Sequence, residues 1–260
     1  SDQTLLVKHG RIQEMGPSDS IDVPSEATVI DATGRHVIPG LWDVHAHTNA
    51  DQTVLDLYLA NGVTGIRDMG CDPRCAELLA ERSVLVASDS IVGPRVVWSG
   101  PNIDGASPID YAGHVHVTVA GAATTVEDLK AAGADFIKVR DWLEYAAVLA
   151  ASHIQGLPVD GHVPTSMTVT AVAAAGQRTV EHGGSVLGGL LLAASSDEEA
   201  LRAELLAAMD AARTSGQFFA PFALAMGPDF TDRLLRTFDE SKASLIVEAF
   251  REAGTALVPT

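Results

Sequence analysis

Residues 39–47 read PGLWDVHAH, and this stretch decides how the rest of the chain is interpreted. Leu41–His47 is a predicted β-strand that follows directly on a Pro-Gly turn. Because residues two positions apart in a strand point to the same face, His45 and His47 lie together near the carboxyl end of the strand. Two imidazoles placed in this way can bind one metal ion. A lone His-x-His motif is weak evidence, so the rest of the chain has to supply its context.

The region after residue 40 shows the alternation of short apolar runs and helix-like segments that is typical of β/α units around a parallel sheet. Further strands are predicted at Val63–Asp68, Arg95–Trp98, Asp135–Arg140, Pro158–Val163, Arg178–His182 and Ala256–Thr260. Capping and stop signals predict helices at Thr125–Ala132, Trp142–Gln155, Ser196–Gly216 and Lys242–Ala253. Segment 217–239 fits no such unit. It is either an insertion packed over the barrel beside the substrate or a packed loop that buries its aromatic side chains.

The first forty residues have a different, β-rich pattern. Strands are predicted there at Thr4–Lys8, Arg11–Met15, Ala27–Asp31 and His36–Ile38, the last two as a hairpin around Thr33-Gly34. We therefore divide the chain into a β module at residues 1–40 and an α/β domain at residues 41–260.

Composition and charge narrow the class of protein. The chain has 260 residues, 47% of them hydrophobic, which is typical of a globular fold. Its net charge of −17 argues against nucleic acid or an anionic membrane as a partner. The longest stretch without charged residues, Gly161–Gln177, is too short and too polar for a membrane span. No signal peptide is visible from Ser1 onward, so a cytoplasmic location is expected.

The cysteines and a second His-x-His motif have ordinary interpretations. Cys71 and Cys75 are expected to be free structural thiols, with a bridge or a metal role as the alternative. His114 and His116 lie in a Gly-rich stretch between predicted strands. We interpret them as solvated loop histidines, with a substrate contact or an extra metal site as the alternative.

Three later strand ends carry residues that suit a metal centre. Lys138 alternates with Ile137 and Val139, so it faces inward if those two pack against helices, where an ammonium is costly unless it is paired or neutral. His162 and His182 each end a predicted strand. Taken one at a time, Lys138 would be interpreted as a lysine that reaches solvent, and each histidine as a core residue. Together they converge with the His-x-His pair at the carboxyl ends of parallel strands, where barrel active sites lie.

These motifs resemble the amidohydrolase superfamily. The resemblance is carried by PGLWDVHAH at 39–47, FIKV at 136–139, GH at 161–162 and EHG at 181–183, and the nearest branch is that of imidazolonepropionase-like and Xaa-Pro-dipeptidase-like hydrolases. It implies a TIM-like (β/α)8 barrel with a small N-terminal β-sandwich module.

The resemblance also implies a binuclear metal site. His45 and His47 would bind the more buried metal ion, N-carboxylated Lys138 would bridge two ions, and His162 and His182 would bind the outer one. Two divalent ions, most readily Zn²⁺, would hold a bridging hydroxide for hydrolysis of a C–N amide-type bond in a small molecule or dipeptide. The chain is thus expected to be an enzyme, an amidohydrolase. A homo-oligomer is compatible with this interpretation, and no substrate-binding residue is identified.

One part of the family pattern has no counterpart. The family's eighth strand ends in an Asp that takes the proton from the attacking water, and the predicted strands stop at the seventh. Strand eight and the rest of the sandwich are therefore expected beyond residue 260, since Asp229 and Asp232 precede strand seven. Two alternatives stay open: a non-catalytic or truncated amidohydrolase-like binding protein, and a phosphoester or lactone hydrolase on the same metal site. Arg67 and Asp68 are either a substrate contact or a structural ion pair.

Overall fold

The computed structural model of the chain describes residues 2–105, 114–140, 144–183, 189–217 and 219–260. The chain divides into two compact units, Ser1–Pro39 and Gly40–Thr260.

The first unit contains a two-stranded antiparallel sheet. Strand β1 (Gln3–Lys8) pairs with β2 (Arg11–Pro17). The connecting residues His9 and Gly10 both have positive φ, which suits a tight turn. The two strands confirm the first half of the predicted β module.

The predicted hairpin around Thr33-Gly34 is wrong. The chain does turn there, because the amide of Arg35 donates to the carbonyl of Ala32 at 2.9 Å. No strand flanks the turn on either side. Val29 and Ile30 are 76% and 85% exposed, so these apolar residues have no buried face that would stabilise a second sheet.

The second unit is a mixed α/β fold with parallel strands, as the sequence pattern predicts. Its strands are β3 (Leu41–Ala46), β4 (Val63–Asp68), β5 (Arg95–Trp98), β6 (Asn102–Asp104), β7 (His114–His116), β8 (Ile137–Val139), β9 (Val159–Gly161), β10 (Thr179–Glu181) and β11 (Ala256–Val258). One sheet has the order β3-β4-β5 and the other the order β11-β10-β9-β8-β6-β7, with parallel pairing throughout. Asp135, just ahead of β8, links the two sheets, because its amide donates to the carbonyl of Trp98 at 2.9 Å.

Helices separate most of these strands. They are α1 (Gln52–Ala60), α2 (Pro73–Ala87), α3 (Ala122–Ala131), α4 (Tyr145–Gln155), α5 (Val169–Ala174), α6 (Leu190–Ala193), α7 (Glu198–Ser215), α8 (Ala220–Ala225), α9 (Pro228–Arg236) and α10 (Glu240–Ala253). In the described parts of the chain, none of them has the length and apolarity that a membrane crossing requires.

Helix ends were predicted better than helix starts. Gly156, Gly216 and Gly254 end α4, α7 and α10 in the left-handed conformation, as predicted. The capping box at Thr125 is wrong, because α3 already begins at Ala122. The starts of α4 and α7 also lie downstream of their predicted positions, although part of the predicted α4 start (141–143) lies outside the described residues.

Two apolar clusters hold the second unit together. The larger one joins the strands to the helices that follow them, and includes the fully buried Leu55, Ile66 and Ile137. The smaller one is formed by α6 to α9 around Leu201 and Phe230.

The packed-loop interpretation of segment 217–239 is wrong for the aromatic side chains described at its start. That part forms α8 and α9, and its Phe219 and Phe222 are 66% and 49% exposed.

Cys71 and Cys75 form a disulfide, which corrects the prediction of free thiols. Asp72 between them is the N-cap of α2, and its side chain accepts a hydrogen bond from the amide of Cys75 at 2.9 Å. This cap turns the chain so that the two Cα atoms lie 5.8 Å apart, within the range of disulfides. A spacing of four residues does not distinguish this turn from an open loop, which is why the sequence did not reveal the bond.

Candidate metal centre

Four of the predicted site residues are histidines that the fold brings into one group. His45 is on β3, His47 follows that strand, and His162 and His182 directly follow β9 and β10. The ring centroid of His45 lies 5.4 Å from that of His47 and 4.5 Å from that of His182. The rings of His162 and His182 are 5.0 Å apart. The carboxyl ends of three parallel strands thus place all four imidazoles together, although their sequence positions span 138 residues (45 to 182, counted inclusively).

His182 reaches this group through an unusual backbone conformation. Its φ is +57°, in the left-handed region that side chains with a Cβ rarely adopt. Such a conformation costs on the order of 1–3 kcal/mol and is concentrated at functional sites. The residue before His162 must be glycine, because β8 and β9 approach each other closely there. A Cβ on Gly161 would lie 2.2 Å from the carbonyl oxygen of Val139.

Lys138, the fifth predicted residue, lies on β8 and is 2% exposed. Its Nζ has no hydrogen-bond partner among the described residues. The pKa of this amine is lowered from 10.5 to about 7, chiefly by burial; the charges of Arg140 and Arg67 contribute to the lowering, and the charge of Glu181 opposes it. Lys138 is therefore a buried amine that readily becomes neutral.

Three of the four imidazoles are held neutral. The pKa of His47 is lowered, that of His182 is lowered to about 4 and that of His162 is lowered to well below its usual value, in each case chiefly by burial. The charge of Lys138 contributes to all three shifts. Neutral imidazole is the form that binds metal ions, so the environment maintains the state a ligand needs.

Hydrogen bonds on Nδ1 orient three of the rings. Nδ1 of His45 lies 2.7 Å from Oε2 of Glu181, Nδ1 of His47 lies 2.9 Å from the carbonyl oxygen of Gly70, and Nδ1 of His182 contacts the hydroxyl of Thr260. Carboxylate and carbonyl oxygens can only accept, so Nδ1 carries a proton in both His45 and His47. A ring with this single proton has its lone pair on Nε2, which is the arrangement seen in metal-binding histidines.

A buried ionic network lies beside the histidines, and the sequence analysis did not foresee it. Arg67 donates to the carbonyl of Val44 (2.7 Å), to Oδ2 of Asp160 (3.1 Å) and to Oε1 of Glu181 (2.8 Å). Arg178 forms a second, two-bond pair with Asp160. Arg67 thus forms structural ion pairs, the second of the two interpretations, but its partners are Asp160 and Glu181 rather than the neighbouring Asp68. Asp68 is structural as well, since it accepts from the amide and the hydroxyl of Thr48 at 2.9 and 2.6 Å.

This network contains equal numbers of positive and negative groups. Arg67 and Arg178 are balanced by Asp160 and Glu181, both of which are fully buried. Burial tends to raise the pKa of Glu181, but its hydrogen bonds from His45 and Thr179 and the charge of Arg67 bring it below its usual value, so it is ionised. Among the described residues, both acids are therefore already paired, which leaves an ammonium at Lys138 without a partner of its own.

The described residues offer four imidazoles and the amine of Lys138 as possible metal ligands. Within the described ranges, no group of three or more His, Cys, Asp or Glu side chains is placed to hold one ion. The rings of His45 and His182 are the two that lie nearest to each other, with His47 beside the first and His162 beside the second. The Nζ of Lys138, buried without a hydrogen-bond partner among the described residues, is a further candidate ligand.

His114 and His116 lie in a strand and not in the predicted loop. They form β7, a strand parallel to β6, which corrects the prediction of loop histidines. Nδ1 of His114 lies 3.4 Å from Oδ2 of Asp104, and Nδ1 of His116 lies 2.8 Å from the carbonyl oxygen of Gly105. The Gly-rich flanks favoured a loop in the sequence analysis, although β7 pairs with β6 along its whole length.

Comparisons with known proteins agree with this fold. No protein-family model matches the chain. A 45-residue segment is 49% identical to imidazolonepropionase from Vibrio cholerae, and a 168-residue segment is 29% identical to dihydroorotase from Mycobacterium tuberculosis. These segments cover 17% and 58% of this chain. A solved prolidase structure with bound N-methylphosphonate-L-proline superposes on 96% of the chain with a TM-score of 0.53 and 21% identity, which shows similarity of fold.

The matches span only part of these relatives. The matched segments cover 11% of the imidazolonepropionase and 38% of the dihydroorotase, and the superposition covers 71% of the prolidase. The sequence similarities and the shared fold all point to one group of proteins, the amidohydrolase superfamily, which this chain resembles.

Proposed function

We propose that the chain carries the metal centre of a hydrolase that cleaves a C–N amide-type bond in a small molecule or dipeptide. The observation that carries this proposal is the convergence of four imidazoles near the buried amine of Lys138, whose Nζ has no hydrogen-bond partner among the described residues. Relatives of the chain are hydrolases that act on carbon–nitrogen bonds, which supports the reaction class. Two parallel sheets that meet at Asp135 and Trp98 further support a barrel of the (β/α)8 type as the scaffold.

The proposed ligands are the five predicted residues. His45 and His47 would hold one divalent ion, His162 and His182 a second, and Lys138 would lie between the two as a carbamate. Imidazole and carboxylate-type donors suit Zn²⁺ best among common metals. When bound, two such ions supply Lewis acidity that polarises the scissile carbonyl and lowers the pKa of a water molecule.

Charge explains why the carbamate fits at Lys138. The neutral amine would attack the carbon of carbon dioxide: an N–C bond forms, one C–O π bond opens onto oxygen, and one proton passes from nitrogen to solvent, so that the side chain changes from neutral to anionic. An anion in this buried position requires compensating positive charge. Both carboxylates of the network already neutralise arginines, and a pair of divalent ions would provide that charge. Carbamate formation and metal uptake should therefore depend on each other.

The tyrosine and aspartate around the first strand support the position of the proposed ligands. The hydroxyl of Tyr58 donates to Oδ2 of Asp43 at 2.8 Å, and Oδ1 of Asp43 accepts from the amide of His45 at 3.0 Å. Asp43 thus fixes the backbone at the first ligand. Asp232, by contrast, does not support a ligand in this way, because it forms an exposed ion pair with Arg236 on α9.

A substrate panel tests the proposed reaction. The full chain is loaded with Zn²⁺ in the presence of bicarbonate and assayed on N-acyl amino acids, Xaa-Pro dipeptides, phosphoesters and lactones. We expect release of amine from one of the first two classes, and we expect His47→Ala to remove that activity. His153→Ala, which changes an exposed histidine on α4, is the matched control and should retain it. Turnover of only the phosphoesters or lactones would replace the proposed reaction class, and equal activity of both variants would exclude this site.

A further inference from the structure

The side chain of Glu181 connects the ionic network to one of the proposed ligands. Glu181 is fully buried. Its Oε2 contacts Nδ1 of His45 at 2.7 Å, and its Oε1 accepts from Arg67 at 2.8 Å and from the hydroxyl of Thr179. We propose that Glu181 is a positioning residue, which holds His45 in the tautomer that directs a lone pair on Nε2 into the metal centre. This inference rests on the proposed function for its consequence in metal binding.

The hydrogen-bond chemistry of a carboxylate makes this control strict. An ionised carboxylate has acceptors and no donors, so the nitrogen that faces it must carry the proton. When the ring of His45 carries one proton, that proton is consequently on Nδ1, and the lone pair is on Nε2. Acceptors of this kind behind metal-binding histidines raise the basicity of the ligand and fix the orientation of its ring.

Arg67 makes this arrangement rigid because it holds both sides of the ligand. It donates to the carbonyl of Val44, the residue before His45, and to the carboxylate that faces the ring of His45. The ring of His47, by contrast, is oriented by the backbone carbonyl of Gly70, which no side-chain substitution removes. Among the contacts described, His45 is thus the ligand whose tautomer depends on a replaceable carboxylate.

Glutamine at position 181 should reverse the tautomer. The charged donor Arg67 attracts the single amide oxygen, as it does Oε1 of the native side chain. The amide NH₂ group would then face His45 and donate to Nδ1. The ring proton would have to move to Nε2, which removes the lone pair from the side that faces the metal centre.

Asp160→Asn is a matched control for Glu181→Gln. Asp160 is equally buried and also accepts from Arg67, so the two variants remove the same charge from the same network. The described hydrogen bonds of the Asp160 side chain go to Arg67 and Arg178, and none goes to an imidazole. Both variants should lose stability, but only Glu181→Gln should change His45.

The test combines NMR of the metal-free full chain with Zn²⁺ affinity measured by competition with a chromophoric chelator. Imidazole ¹⁵N shifts should report protonated Nδ1 for His45 in the wild type and in Asp160→Asn, and protonated Nε2 in Glu181→Gln. We expect Zn²⁺ binding to be about 10- to 100-fold weaker in Glu181→Gln, and less affected in Asp160→Asn.

An unchanged tautomer in Glu181→Gln, or an equal loss of affinity in both variants, would overturn the proposal. If Glu181→Gln does not fold, the wild type decides, because protonated Nε2 on its His45 contradicts the inference. If the wild type binds no Zn²⁺, the proposed function fails, while the NMR result still tests the positioning role separately.

Discussion

Lys138→Met is expected to make the metal-free chain more stable and to abolish metal binding at the proposed centre. The native Nζ is buried without a hydrogen-bond partner among the described residues, and methionine fills a similar volume with no polar group. Removal of an unsatisfied buried polar group stabilises a protein by about 1–3 kcal/mol. Denaturation of the chelator-treated full chain in urea measures this gain.

The gain in stability should depend on pH. The pKa of Lys138 is about 7 in the folded chain, whereas an unperturbed lysine, such as one in the unfolded chain, has a pKa of 10.5. Between these two values the unfolded chain therefore binds more protons. Stability contributed through this group rises with pH in that window, by at most about 1.4 kcal/mol per pH unit, and it is constant below it. The advantage of Lys138→Met should be largest near pH 7 and should shrink toward pH 10.

The loss of function in Lys138→Met should exceed that of any supporting residue. In the proposed centre the amine of Lys138 would supply the carbamate, so the variant lacks the group that would bridge the two ions. We expect Zn²⁺ affinity to fall by more than about 100-fold, which is the upper range for residues that only orient a ligand. A variant that is less stable than wild type at pH 7 and binds Zn²⁺ normally would show that Lys138 is an ordinary core residue.

Arg67→Met is expected to cost about 3–5 kcal/mol of folding free energy, the range found when one partner of a buried ion pair is removed. Asp160 would keep Arg178, but Glu181 would lose its only described cationic partner that lies within hydrogen-bond distance. The surface pair of Arg236 with Asp232, at 2.7 Å, is the matched control. Because both of its side chains are exposed, Arg236→Met should change stability by less than about 1 kcal/mol. Equal effects of the two substitutions in urea denaturation would contradict a structural role for the buried network.

Much of the second unit and of its candidate site could be predicted from the sequence. Strand periodicity placed Lys138 on an inward face, and the fold does bury it. The rule that parallel strands carry function at their carboxyl ends predicted that His162 and His182 would meet the His-x-His pair, and their rings lie within 4.5–5.4 Å of a neighbouring ring. These features follow from local period and from the common direction of the strands.

Features that depend on long-range partners were not predictable in this way. Glu181 was visible in the EHG motif, but its contact with His45 joins residues 136 positions apart. The pairing of Arg67 with Asp160 spans 93 positions. A buried arginine on one strand requires buried acids on its neighbours, and that charge requirement is the signal that would have linked these motifs.

Local sequence patterns gave wrong predictions where a strand and a loop have similar sequences. Val29 and Ile30 have the composition of a strand, but no partner in their unit covers them, so they remain exposed. His114 and His116 lie beside glycines that favour loops, and pairing with β6 nevertheless makes them a strand. Tertiary contacts decide both cases.

The metal content of the full chain tests the central claim most directly. Chelator-treated protein is incubated with Zn²⁺, with and without bicarbonate, and the bound metal is measured by elemental analysis after gel filtration. We predict that about two Zn²⁺ ions per chain are retained only with bicarbonate, with a mass increase equal to one carbon dioxide that is absent in Lys138→Met. Equal metal retention with and without bicarbonate, or no retention under either condition, would contradict a carbamate-bridged centre at these five residues.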